Sequence, residues 1–196
     1  MTPRTAFRDS LPLIEAEILA CQACELHRER LHAVPGEGAV PAPLMLVGEG
    51  PGQQEDEEGR PFVGRAGQLL DRMLLAIHLG RTEVYIANVV KCRPPSNRMP
   101  TSDEGDACLP FLARQIALVN PDVILTLGAT ATRALLGSDV KITKCRGEWQ
   151  RWGDRWVMPT YHPAFLLRDP RQKAVVWQDL QQVAVRLGIP LGTPED

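Results

Sequence analysis

Short apolar runs alternate along the chain with segments whose apolar residues recur at helical spacing. Runs of four or five mainly apolar residues that stop at a glycine or an asparagine predict buried strands. These runs are Leu44–Val47, Val84–Ala87 and Val123–Leu127. Segments that place their apolar residues on one helical face predict helices. These segments are 13–26, 69–77, 101–119, 129–136 and 175–187.

Two further patterns complete the predicted fold. Trp149–Trp152 and Trp156–Thr160 flank Gly153-Asp154, which is typical of a β-hairpin. Glu55–Glu58 form an acidic segment that we expect to be a loop. Because strands alternate with helices, we predict an α/β fold: a three-layer α/β/α sandwich around a central, mainly parallel four-stranded sheet.

The composition is that of a folded, soluble protein, with 44% apolar and 23% charged residues. The length of 196 residues fits one domain over 1–196, with an N-terminal helical segment over about 10–30. No apolar run approaches the ~20 residues that span a bilayer. Met1–Ala20 lacks the apolar centre of a secretory signal. We therefore expect a cytoplasmic protein without a membrane partner.

Charge is distributed unevenly along the chain. The net charge is −2, yet Lys141–Lys173 holds eight basic residues against three acidic ones. Lys144, Arg146 and Arg168 belong to this segment. It is either a phosphate-facing patch or a solvated surface balanced by nearby acids, and charge alone does not separate the two.

Four of the five cysteines suggest a metal centre. Cys21 and Cys24 form a CxxC pair, Cys92 and Cys108 follow later, and Cys145 stands alone. A reducing compartment disfavours disulfides, so grouped thiols there point to a metal site or a redox pair, although the CxxC can also be incidental. The later cysteines form no second CxxC, which disfavours a zinc ribbon. Spacing alone does not separate zinc from iron–sulfur.

Several segments suited to ligand binding or catalysis follow predicted strands. They are the glycine loop 48–52, Asn88, Gly128 and His162. Ligands of open α/β sheets bind beyond the carboxyl ends of the strands, so we expect one shared site. The glycine loop has neither the GxGxxG nor the GK[ST] signature, which disfavours a protein that binds or hydrolyses nucleotides.

Three side chains in this region suit recognition of a base. The amide of Asn88 offers a donor and an acceptor that match the edge of a pyrimidine, or it caps a turn. Phe62 lies in a polar loop, where it either stacks on a ligand or pins the loop to the core. His162 precedes Pro163, so we expect a helix N-terminus there that favours a neutral imidazole and welcomes an anion.

Together these segments resemble family 4 uracil-DNA glycosylases, the iron–sulfur branch of the uracil-DNA glycosylase superfamily. The resemblance runs from about Cys21 to the final helix. It is carried by GEGPG at 48–52, GRPFVGRAG at 59–67, YIANVVKCRPPSNR at 85–98, YHPA at 161–164 and the four grouped cysteines. The resemblance implies an enzyme that hydrolyses the N-glycosidic bond of deoxyuridine in DNA, releasing uracil and leaving an abasic site.

The resemblance also implies roles for individual residues. The proposed ligands of a structural [4Fe–4S] cluster are Cys21, Cys24, Cys92 and Cys108, with Cys145 a non-ligand. The residues implied to contact uracil are Gly48, Glu49, Gly50, Phe62, Asn88 and His162. Among these, Phe62 stacks on the flipped base, Asn88 reads its Watson–Crick edge, and His162 donates to O2 during catalysis.

The residue that activates water is less clearly indicated. The best-known branch of the superfamily has an aspartate at the third position of the first loop, where this chain has Gly50. Glu49 is the nearest carboxylate in sequence, and Glu55–Glu58 are further candidates. We expect uracil-containing DNA as the partner of a monomer. The expected DNA contacts are Arg93, Lys144, Arg146, Leu167 and Arg168, and a residue in 166–168 is a candidate wedge.

Two other functions remain open at this point. One is a sibling that traps uracil-DNA covalently through a histidine in an Arg-rich insert, and 65–81 has no such insert. The other is a non-catalytic iron–sulfur module that binds DNA through the basic segment alone. Turnover with release of free base separates both from a glycosylase.

Overall fold

The computed structural model describes residues 9–191. The helices are α1 (Leu11–Ala20), α2 (Gln53–Glu58), α3 (Arg65–Leu75), α4 (Ser102–Val119), α5 (Ala129–Leu136), α6 (Ile142–Cys145), α7 (Pro163–Arg168) and α8 (Lys173–Arg186). The strands are β1 (Glu37–Gly38), β2 (Leu44–Gly48), β3 (Tyr85–Asn88), β4 (Val123–Leu127), β5 (Gln150–Trp152) and β6 (Arg155–Thr160). Both ends of the expected domain, 1–196, lie outside the described residues, so its extent stays a prediction.

The sheet has six strands in the order β1-β3-β2-β4-β6-β5. The four inner strands are parallel, and β1 and β5 pair antiparallel at the two edges. The predicted mainly parallel sheet is confirmed, but the predicted number of four strands is wrong. β1 has only two residues and β5 only three, and neither is fully buried, so neither carries the apolar run that marks a core strand.

Helices cover both faces of the sheet and make the three predicted layers. One face packs against α3, α7 and α8, and the other packs against α4 and α5. α1 lies outside α4, where Ile14 and Ile18 pack against Phe111 and Leu118. Every residue of β2, β3 and β4 is buried, which explains why these strands are continuous apolar runs without alternation.

Two predicted elements near the N-terminal half differ from the structure. The predicted helix 13–26 ends at Ala20, because Cys21 has extended backbone angles, and a short 3-10 turn follows at Glu25–Arg28. The CxxC pair therefore lies in a connection between helices. The acidic segment 55–58 is helical and not a loop, since it belongs to α2, where Glu55 Oε2 accepts from the N–H of the N-cap residue Gly52 at 3.1 Å.

The remaining helices and the hairpin are confirmed. Thr101 and Glu104 form the predicted capping box of α4, with Glu104 Oε2 accepting from the Thr101 N–H at 2.8 Å. β5 and β6 pair as the predicted hairpin. Within residues 9–191, no helix is both long and apolar enough to cross a bilayer.

Candidate active site

A cavity of about 520 Å³ opens beyond the carboxyl ends of the parallel strands. Five separate segments of the chain line it, within 49–55, 62–66, 88–99, 127–129 and 162–168. The sequence-predicted residues among them are Glu49, Gly50, Phe62, Asn88, His162 and Arg168. The structure thus brings the candidate ligand-binding residues together, as their positions after the strands predicted.

Gly48, at the end of β2, leaves room for two side chains that line the cavity. The parallel register places Gly48 of β2 beside Asn88 of β3. A Cβ at Gly48 would collide with Asn88 Oδ1 and with the ring of Phe62. The absence of a side chain at this position therefore lets the amide and the ring meet above the sheet.

Asn88 presents an acceptor that no protein group satisfies. Its side chain is 2% exposed, and within residues 9–191 its Oδ1 has no hydrogen-bond partner. Buried polar atoms are nearly always paired, because leaving one unpaired costs about 1–3 kcal/mol. A buried acceptor facing a cavity is the arrangement expected where a ligand supplies the missing N–H.

The loop that carries Phe62 is held from both sides. Phe62 has a φ of +52°, a left-handed conformation that a bulky residue rarely adopts. Arg81 Nη1 donates to the Phe62 carbonyl at 3.0 Å, and Glu55 Oε1 accepts from the N–H groups of Val63 and Gly64, each at 2.9 Å. These contacts hold the Phe62 ring 5.6 Å from that of His162, with 30° between the ring planes.

His162 is the N-cap of α7, followed by Pro163 at the first helical position, as predicted. Its Nδ1 accepts from the Ala164 N–H at 3.1 Å, so the proton of the neutral ring is on Nε2. Burial lowers the pKa of His162 to about 4, with Arg168 lowering it further and Glu55 opposing them. The imidazole is therefore a neutral Nε2–H donor at physiological pH.

The carboxylates near the cavity have different surroundings. Glu49 lines the cavity and accepts a hydrogen bond from the hydroxyl of Thr130. Glu55 accepts from the two N–H groups beside Phe62 and from that of Gly52, so it staples two loops together. Asp56 is buried and accepts from backbone N–H groups of the segment after the CxxC pair. Of these three carboxylates, Glu49 is thus the one that holds no backbone N–H group in place.

A second pocket is separate from this cavity and shares no lining residue with it. The four grouped cysteines line it, namely Cys21, Cys24, Cys92 and Cys108. Arg30 Nη1 donates to Cys92 Sγ at 3.0 Å, and burial raises the pKa of Cys108 to about 11. Within residues 9–191, no three His, Cys, Asp or Glu side chains are grouped as ligands of a single metal ion.

Lys91 joins the two pockets, and no sequence motif marks it. It is fully buried, and its Nζ donates to the Asn88 carbonyl at 2.8 Å and to Gln115 Oε1 at 2.7 Å. Burial lowers the pKa of Lys91 to about 7. In the sequence it belongs to a basic, proline-rich loop and resembles a solvated residue, so only the fold reveals its position.

The candidate DNA contacts differ in their surroundings. Arg168 is exposed on the cavity rim, Lys144 is exposed on α6, and Arg93 Nε donates to Asn97 Oδ1 at 2.8 Å. Arg146 differs, because its guanidinium is paired with the fully buried Asp179. We therefore do not keep Arg146 among the DNA contacts.

The candidate wedge segment 166–168 is only partly available. Leu166 is 1% exposed and belongs to the core, which rules it out as a wedge. Leu167 is half-buried and packs against the same core cluster. An apolar pair after a helix start has packed inward here, as helical periodicity favours.

A three-layer α/β sandwich with a cavity at the strand ends, where a few polar side chains converge, defines a class of ligand-binding α/β proteins. Residues 35–181 match the family model for the uracil DNA glycosylase superfamily. The chain belongs to the uracil-DNA glycosylase superfamily.

Relatives cover most of the chain. A type-4 uracil-DNA glycosylase of Thermotoga maritima is 47% identical over 88% of this chain and 92% of its own length. Proteins of the same description from Sulfurisphaera tokodaii and Saccharolobus solfataricus are each 46% identical over 89% of this chain. The matched regions cover 84% and 85% of the lengths of those two proteins, respectively.

Proposed function

We propose that this protein removes uracil from DNA by hydrolysis, releasing the free base and leaving an abasic site. It is a hydrolase of N-glycosyl bonds that acts in base-excision repair, as the type-4 relatives are named. The observation that carries the proposal is the unpaired Oδ1 of Asn88, which faces a cavity that also holds Phe62 and His162.

Recognition begins with extrusion of the nucleotide from the duplex, which costs roughly a few kcal/mol. Stacking on Phe62 returns ~1–3 kcal/mol. Asn88 Oδ1 then accepts from uracil N3–H, and the amide N–H donates to O4. Cytosine has an acceptor at N3 and a donor at the 4-position, so it leaves both groups of Asn88 mismatched and is rejected.

Cleavage develops negative charge on the departing uracil. The Nε2–H of neutral His162 donates to O2 and stabilises this charge without first giving up a proton. The hydrogen bond from the Ala164 N–H to His162 Nδ1 keeps the ring proton on Nε2. Since burial lowers the pKa of His162 to about 4, this tautomer persists across the physiological range.

Glu49 is our proposed residue for orienting the attacking water. It lines the cavity, and the hydroxyl of Thr130 fixes its carboxylate. Gly50, at the position of the aspartate in the best-known branch, provides no carboxylate. Glu55 is committed to three backbone N–H groups, so we assign it to positioning of the Phe62 loop.

We further propose that the four grouped cysteines hold a [4Fe–4S] cluster. The donor set fits, because four thiols and no carboxylate line one pocket, and Arg30 offers a hydrogen bond to sulfur. When bound, the cluster supplies cross-linking of the segment after α1 to Cys92 and α4, and hydrolysis requires no redox step.

The DNA-facing surface in this proposal contains Arg93, Lys144, Leu167 and Arg168. Exposed cations near the cavity attract the phosphates that flank the extruded nucleotide. We propose that the protein acts as a monomer on uracil-containing DNA, and in the cytoplasm, where such a substrate is available to it.

The test is release of free uracil from single-stranded and duplex oligonucleotides, with His162→Ala alongside. We expect turnover by the wild type and a rate lower by about 10²–10³-fold in the variant, since one donor to a developing anion is lost. His78→Asn is a matched control, because His78 is exposed and has a positive φ that asparagine tolerates. Binding to DNA without any base release would refute the proposal.

The same reactions resolved on a denaturing gel test the covalent alternative. Turnover leaves abasic DNA and free protein, whereas trapping shifts the protein band. We expect no shifted band. A stoichiometric shifted band without free uracil would assign the protein to the trapping sibling.

A further inference from the structure

The loop before α4 contributes to the rim of the cavity, as α7 does. It contains Asn97, Arg98 and Met99, all of which line the cavity. Met99 is 66% exposed, although methionine is an apolar residue. Large exposed apolar residues elsewhere in 9–191 lie away from the cavity lining, so Met99 is the one placed at its mouth.

The backbone under Met99 is held firmly. Arg98 Nη1 donates to the Met99 carbonyl at 3.0 Å. The same guanidinium makes a bidentate pair with Glu104, with N–O distances of 2.8 and 2.7 Å. Glu104 is buried and belongs to the capping box of α4, so the clamp is anchored in a long helix.

The turn before the clamp is also restricted. Pro94, Pro95 and Pro100 limit the backbone, and Ser96 and Asn97 have positive φ values of 53° and 54°. A rigid backbone that holds a solvent-exposed apolar side chain is not explained by packing within this chain. It is the arrangement expected of a side chain that inserts into a partner.

We propose that Met99 is a wedge that fills the gap left in the duplex when uracil is extruded. This inference rests on the proposed function, since only a base-flipping reaction creates such a gap. Apolar side chains, methionine included, insert between base steps in other DNA-bending proteins. A thioether is unbranched and polarisable, so it adapts to the two flanking base pairs.

The proposal assigns to Met99 a role that the sequence pattern placed in 166–168. Leu166 is in the core and Leu167 is half-buried against it, so neither projects as freely as Met99. Arg168 also lines the cavity and remains a candidate phosphate contact. The wedge and this cation would then both engage the duplex beside the extruded nucleotide.

A wedge acts only where a stack must be refilled, so the test compares substrates. For Met99→Ala we expect kcat/KM to fall about tenfold on a duplex containing one uracil, as loss of one inserted side chain implies. On the matching single strand we expect no change beyond about twofold, since that substrate has no stack to refill. Met99→Leu should retain duplex activity.

Two measurements keep the result specific. Leu75→Ala is the control, because Leu75 is 64% exposed on α3 and does not line the cavity. A pyrene nucleotide opposite the uracil occupies the gap itself and should restore duplex activity to Met99→Ala. Thermal melting of each variant checks that the fold is intact.

Equal losses on both substrates would show that Met99 only supports its loop, and no loss on either would show that it is dispensable. Either result overturns the wedge. If the wild type releases no uracil from either substrate, the proposed function itself fails, which is distinct from a failure of Met99 alone.

Discussion

The cavity beyond the strands and the cysteine pocket present different groups to an occupant. The cavity of about 520 Å³ contains a buried acceptor, Asn88 Oδ1, that has no partner among residues 9–191. The cysteine pocket is lined by four thiols beside Ile18 and Phe111, and at least one of its sulfurs already has a donor in Arg30. The first suits a ligand that enters and leaves, whereas the second suits a permanent group.

Lys91 makes the two pockets parts of one construction. Its neighbour Cys92 lines the cysteine pocket, while its own Nζ holds the carbonyl of Asn88. The proposed cluster would therefore fix the position of Asn88, the residue proposed to read the base, without taking part in chemistry. This would give a physical reason for the proposed cluster in a hydrolase.

The largest effect is expected from a substitution in the cysteine pocket. Cys108→Ser removes one of four proposed ligands, and structural metal centres contribute directly to folding. We expect loss of iron and of the broad absorption near ~400 nm. We expect the melting temperature to fall by roughly 10 °C, as a loss of several kcal/mol implies for a chain of this size.

Cys145→Ser is the matched control for that variant, because Cys145 does not line the cysteine pocket. It should keep iron, colour and stability. Purified wild type that is colourless and holds one equivalent of zinc would reject the cluster.

The cavity that contains Asn88 is tested next, by Asn88→Asp. A carboxylate has acceptors only, so the donor to uracil O4 is lost while cytosine gains a partner for its amino group. We expect uracil release to fall by about 100-fold or more and preference to shift toward cytosine. Release assays on oligonucleotides with each base measure the ratio.

Asn120→Asp controls for the added charge. Asn120 ends α4 outside the cavity, and its Oδ1 accepts from Arg155, which a carboxylate also does. Uracil release by Asn88→Asp at the wild-type rate would remove Asn88 from the base-reading role.

The connection between the pockets is tested by Lys91→Met, with a smaller expected effect. The change leaves the Asn88 carbonyl and Gln115 Oε1 without their donor. We expect about a tenfold fall in kcat, because a small displacement of a site residue is costly, with iron content retained. Lys173→Met, at the exposed start of α8, is the control. Unchanged kcat would show that the pockets are independent.

The smallest effect concerns pH and His162. Its pKa is about 4 in the folded protein against 6.5 ordinarily, so the unfolded chain binds more protons between these values. Stability is therefore expected to fall as pH drops from about 6.5 toward 4. Melting curves at pH 7 and pH 5 should show a larger loss for the wild type than for His162→Asn, by about 5 °C. Equal losses would contradict a buried neutral imidazole.

Much of the fold was predictable because its main elements carry local signals. The three buried strands are continuous apolar runs, and the Thr101–Glu104 capping box marks α4. β1 was not predictable, because Glu37–Gly38 pairs through backbone hydrogen bonds alone. α2 was missed because its acidic side chains resemble a solvated loop until Glu55 is seen bonded to the loop of Phe62.

The candidate site likewise contains features that the sequence predicts and features that it does not. That Asn88 and His162 line one cavity and that four cysteines share a pocket was predictable, because a polar residue after a buried strand and a thiol pair are visible in the sequence. The burial of Lys91 and the exposure of Met99 were not, because both depend on tertiary packing. The pairing of Arg146 with Asp179 was not predictable for the same reason, since the two residues are distant in sequence.

The most direct test of the account is a crystal structure of His162→Ala bound to a uracil-containing duplex. Extruded uracil should stack on Phe62, with its N3 within about 2.7–3.2 Å of Asn88 Oδ1, the length of an ordinary hydrogen bond. A uracil that remains stacked in the duplex, or that occupies any other pocket, would contradict the account.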